Sequence, residues 1–274
     1  YKFGMIGSTD SHTSLATAAE DNFYGKHSAG MEPQPDRWKD AVGGRGKFTV
    51  PGFMMAASGY AAVWATENTR EGIWDAIQRK EVYATTGSRM TVRFFGGWDF
   101  TEADLEASNM PDIGYSKGVS MGSTLLQSDA SAPVFMLQTA KDPNGANLDR
   151  LQVIKGWEDA EGAVHEKVFN VAWSNPELRS MDATGDIADI PSTVDEAKAT
   201  YSNKYGAVEL TALWQDPEFI PEQKAFYYVR AIEVPSPRWT SYDAAQFDVE
   251  MAPYVERTTQ DRAYSSPIWY EPSN

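Results

Sequence analysis

Short apolar runs broken by Gly, Pro, Asn and Asp dominate this chain, and one stretch carries a helical period. Residues 3–6 form an apolar run closed by Gly7, the pattern of a strand buried on both faces in a parallel sheet or barrel. Residues 13–60 hold no period of 3.6 or 2 and are punctuated by Gly and Pro, which predicts a long functional loop. A second buried strand is expected over 59–65. Asn68 with Glu71 three residues on then predicts a capped helix, with Ile73, Trp74 and Ile77 on its apolar face. Residues 82–87 are β-prone and end in a glycine turn.

Beyond Met90 the pattern changes to recurrent β-prone segments at 91–95, 134–139, 151–157, 164–173, 208–214, 226–234 and 267–270. That spacing predicts an antiparallel sandwich. The clearest hairpin joins 151–157 to 164–173 through Asp159-Ala160-Glu161-Gly162. Residues 175–205 and 235–266 read as long surface insertions, Pro235, Pro237 and Pro253 barring the second from a central strand. The expected division is 1–89 and 90–274.

A chain of 274 residues, 42% hydrophobic and with nine tryptophans, can bury a substantial core. Its 24 basic against 39 acidic residues give a net charge of −15, which disfavours nucleic acid and anionic membrane as partners. The absence of cysteine excludes disulfides, thiolate metal sites and a cysteine nucleophile. No stretch approaches the roughly 20 apolar residues of a membrane span.

The polar end of the opening run, Ser8-Thr9-Asp10-Ser11-His12, carries the sharpest candidate chemistry. In an extended backbone Asp10 and His12 leave the same face, a way to present two ligands to a zinc- or manganese-like ion. Lys26 and His27 follow in the loop, with Arg37 and Arg45 beyond, all suited to holding an anionic substrate. Trp64 and Glu67 sit at the strand-to-helix turn, and Arg89 follows the glycine at 87. A serine-hydrolase triad is disfavoured, because Gly-x-Ser-x-Gly is absent.

Gly7-Ser8-x-Asp10-Ser11-His12 after an apolar run resembles the last metal motif of PHP domains, the polymerase-and-histidinol-phosphatase superfamily of metal-dependent hydrolases. With Glu20–Lys26, 65–70, 82–87 and 265–270, the chain resembles the C-terminal part of the bacterial domain of unknown function 3604 family, related to PHP. The resemblance implies an α+β fold: the C-terminal units of a distorted β/α barrel, then an antiparallel β-sandwich-like domain. It implies Asp10 and His12 as ligands of divalent zinc, manganese or iron; Lys26, His27, Glu67 and Arg89, read from residue type and position, are the candidates for substrate contact or proton transfer. It also implies a small-molecule ester substrate and a periplasmic or extracellular location. PHP-type sites draw on several histidines from upstream motifs, whereas this chain has His12, His27 and His165 alone. An N-terminal segment or a separate chain is therefore expected to complete the barrel and the site. The reading from another class is a non-catalytic sandwich module for carbohydrate or a partner protein, using Trp157, Trp173, Trp214, Trp239 and Trp269.

Overall fold

The computed structural model describes the chain apart from residues 16–17, 28–30, 43–49, 58, 129–131 and 274, and apart from the side chains of Ala41 and Val42. Arg45 therefore lies outside the described residues. The first third holds the small pair β1 (Ala41–Val42) and β2 (Val50–Pro51), then β3 (Tyr60–Val63), α1 (Arg70–Gln78) and β4 (Val82–Thr85). The middle holds β5 (Thr91–Gly97), α2 (Glu102–Leu105), α3 (Met110–Lys117), β6 (Gly118–Ser120), β7 (Thr124–Leu126), β8 (Val134–Ala140), β9 (Leu148–Glu158) and β10 (Val164–Trp173). The last third holds β11 (Glu209–Gln215), β12 (Ala225–Glu233), β13 (Ser236–Pro237), α4 (Trp239–Phe247), β14 (Thr258–Thr259), β15 (Arg262–Ser265) and β16 (Ile268–Glu271).

An eight-stranded sheet runs β10-β9-β12-β15-β4-β3, with β16 on β12 and β7 on β16; a four-stranded sheet runs β11-β8-β5-β6. Their facing sides share one core, Phe94, Phe135 and Leu137 meeting Leu151, Val153, Tyr227 and Val229. The Phe135 and Tyr227 rings lie 4.5 Å apart across it. Burying each such side chain contributes about 1.5–3 kcal/mol.

The expected β/α barrel is not what forms. Among the described residues every ladder is antiparallel except β16 with β7, and the sheets do not close. The reason is visible at β3–α1–β4. A helix joins two strands there, but Tyr60 pairs with Thr85 and Val63 with Val82, so the strands are antiparallel neighbours, not a parallel crossover unit. The strand β4 in turn pairs with β15, so one sheet takes strands from both sides of Met90.

The opening run is not a strand either. Residues 1–10 make no ladder, and Phe3 and Ile6 are exposed. The backbone there bonds irregularly, Met5 N donating to Ser266 Oγ at 2.9 Å and Gly59 N to Ser8 O at 2.9 Å. Thr69, one residue beyond the expected cap, accepts from Gly72 N at 3.1 Å and starts α1. Trp74 and Ile77 on the expected inner face are exposed, because α1 buries its smallest residues, Gly72 and Ala76. The sandwich strands and the 159–162 hairpin match the sequence pattern, Val164 pairing with Glu158.

Candidate functional site

The loop after the opening segment is built on α4. Phe23, Met31, Trp38 and Met55 bury against Trp239, Ala244, Met251 and Val255 in a second core. Arg37 is its hub. Its guanidinium pairs with Asp243 through Nε and Nη2, while Nη1 donates to the carbonyls of Phe23 (2.9 Å), Tyr24 (3.1 Å) and Met31 (3.2 Å). Arg37 is thus neither a substrate clamp nor a solvated charge: it is 2% exposed and holds the loop together. Arg238 adds bonds to the carbonyls of Phe53 (2.7 Å) and Met55 (2.6 Å).

From the Phe23 anchor the chain turns back at Gly25, whose φ of +121° and close approach to Met31 O both require glycine. The turn returns Lys26 and His27 to the opening segment. His12 N donates to Lys26 O at 2.7 Å, and Lys26 Nζ donates to Thr9 O at 3.0 Å. The His12 and His27 rings lie 4.5 Å apart, tilted by 32°. Asp10 adopts φ +47°, a left-handed conformation that Asp tolerates, and its N–H donates to Ser8 Oγ at 3.1 Å. The backbone is therefore not extended at Asp10, and the shared-face argument for Asp10 and His12 does not apply. What gathers the residues is the clasp between 9–12 and 26–27.

Burial holds the Lys26 ammonium below the ordinary lysine range, while Asp10 and Glu20 oppose that shift. A partly buried lysine facing two carboxylates keeps positive charge at the clasp and sits closer to a useful proton-transfer range than a free one. Glu67 and Arg89 are not brought into it. Glu67 is exposed at the start of α1, where its carbonyl lies against Gly72. Arg89 stacks over the Tyr60 ring at 5.5 Å, and its backbone N–H donates to Asp142 Oδ2 at 2.9 Å.

The donor types at the clasp, one carboxylate and two imidazoles, suit a zinc- or manganese-like ion. The donor count does not. Among the described residues no three His, Asp or Glu side chains converge closely enough to hold a metal.

A family model describing proteins of unknown function, DUF3604, matches residues 1–272. The chain belongs to that family. Comparison with curated proteins and with solved structures found no match. The DUF3604 chain has no helix, among the described residues, long and apolar enough to cross a membrane.

Three carboxyls beside the loop escaped the sequence reading. Glu20 Oε2 accepts from Trp239 N at 2.7 Å at the start of α4, and burial chiefly lifts its pKa to about 7. Asp261 accepts from Thr86 Oγ1 at 2.6 Å and is raised, again mainly by burial. Glu233 accepts from Ser88 Oγ, and burial lifts it to about 8. They lie far apart in sequence, so no spacing could have flagged them. Only Glu20 fell inside a stretch that carried the family resemblance.

Proposed function

We propose that this DUF3604 chain contributes part of the active site of a metal-dependent hydrolase acting on small anionic esters. The observation that supports it is the return of Lys26 and His27 to Asp10 and His12 across a loop. A relationship to PHP hydrolases is inferred for this motif alone, not for their barrel. Asp10 and His12 would supply two donors to the ion, with further donors coming from outside the described residues. The ion, when bound, would polarise the substrate and acidify water. The chain's own residues do the rest. Lys26, fixed by the Thr9 carbonyl, draws the anionic substrate to the clasp. The exposed His27 imidazole takes up or returns a proton at the leaving oxygen.

Metal content by mass spectrometry is expected to fall in Asp10→Ala and His12→Ala relative to the parent protein. Turnover of a panel of phosphate and carboxylic esters is expected to fall roughly 10²-fold or more in His27→Gln. Unchanged metal content in both of the first two variants would remove the proposal.

A further inference from the structure

A trough of about 620 Å³ lies elsewhere, over the ends of β10, β9, β12 and β16, with residues 1–3 along one side. We propose that it binds a neutral carbohydrate. The inference holds whether or not the clasp is catalytic.

Strand register builds the floor. Gly156 pairs with Phe226, and Phe226 with Trp269, so all three share the face opposite the main core. Their neighbours Tyr227, Ile268 and Tyr270 point inward. A Cβ on Gly156 would lie 2.2 Å from Phe226 Cζ, so the missing side chain lets the ring lie directly on the backbone. Tyr228, two residues along, continues the surface with its ring plane 13° from that of Phe226. The Trp269 ring leans on Phe226 at 5.0 Å, and its buried Nε1 has no hydrogen-bond partner. The result is a stepped aromatic surface: Phe226 and Tyr228 lie near-parallel, Trp269 is tilted by 44° to Phe226, and Phe3 stands edge-on against both Phe226 and Trp269. Of the five tryptophans named for the alternative sandwich-module reading, Trp269 joins this surface, whereas Trp239 is fully buried, Trp214 packs on Phe135, and Trp157 turns to the core side to stack on His165.

The rim selects among occupants. Lys2 pairs with Glu271 at 2.8 Å, which leaves Glu158, Glu166 and Lys224 as exposed charges around the aromatic floor. Two carboxylates against one ammonium repel an anionic ligand and offer acceptors to hydroxyl groups. A sugar ring supplies both matching parts, an apolar C–H face for the aromatic floor and hydroxyls for the rim; the volume is within the range of small-ligand sites. A second copy of this chain seated face to face would set the same carboxylates against themselves, in a protein of net charge −15.

The test is calorimetric titration, with tryptophan fluorescence in parallel, using neutral hexasaccharides of glucose, mannose, xylose and N-acetylglucosamine. Saturable binding to at least one is expected. It should weaken roughly tenfold in the rim variant Glu166→Ala, and by at least as much in Phe226→Leu. Glu166 is exposed, so its variant tests the idea even if Phe226→Leu misfolds. No saturable binding to any of the four, or binding that both folded variants leave unchanged, would overturn the proposal. So would a dimer in sedimentation that Val164→Asp, at the apolar rim, dissolves.

Discussion

Replacing Arg37 by methionine is expected to cost roughly 3–5 kcal/mol of stability, because it strands Asp243 in the second core without its partner. The pair is almost wholly buried, with side chains 2% and 6% exposed. The same substitution removes the donors to the carbonyls of Phe23, Tyr24 and Met31. Burial already lifts the Asp243 carboxyl against the pull of Arg37. In the variant it should therefore bind a proton, and the loss should shrink at acid pH. Urea unfolding at pH 5 and 8 measures both effects, and limited proteolysis shows whether residues 18–57 have come loose. Adding Asp243→Leu should recover much of the loss, since an apolar pair of similar volume lacks the stranded charge. A single-variant cost under about 1 kcal/mol would show that Arg37 does not hold the loop.

The second large effect is on pH. Glu20 and Glu233 rise from 4.5 to about 7 and about 8, chiefly through burial. A carboxyl whose folded pKa exceeds its unfolded value is more protonated in the folded state between the two values. Its stabilising contribution is complete below about 4.5 and is lost as pH climbs through the folded value. The two groups together should remove several kcal/mol, as an order of magnitude, between roughly pH 5 and 8.5. The lowered carboxyls Asp104, Asp159, Asp182 and Asp195 titrate below that window and do not offset the decline. Chemical unfolding across the range should show falling stability, and Glu20→Gln with Glu233→Gln should flatten it. A flat or rising parent profile would contradict the burial assigned to these groups.

What could be read from the chain divides along physical lines. Strands such as β8, β9, β10 and β12 announce themselves as short runs rich in β-branched and aromatic residues set between turn residues, and of these four β12 shows the two-residue alternation of a single buried face. The strand β15 was invisible. It is four residues long, Arg262–Ser265, follows a proline-rich stretch, and owes its central place to β12 and β4, which lie far away in sequence. The helix α4 was missed for a related reason: it buries Trp239, Thr240, Ser241, Asp243 and Ala244, so polar residues that suggest a surface are inside, satisfied by partners such as Arg37 and the Glu256 and Arg257 carbonyls. The candidate residues Asp10, His12, Lys26 and His27 stand out by type, and the clasp between 9–12 and 26–27 brings them near one another. The geometry imagined for them does not form, because a left-handed Asp10 and a reversal at Gly25 replace the extended strand.

The placement of β15 also sets an order of events during synthesis. The hairpin of β3 and β4 joins the large sheet through Arg262–Ser265, and Ser266 Oγ receives the Met5 amide. A ribosome that has released residues 1–100 has therefore produced a clasp with nothing to rest on. Docking must wait for translation to pass residues 262–266, and until then the β4 edge is open to chaperones or to pairing with a neighbouring nascent chain.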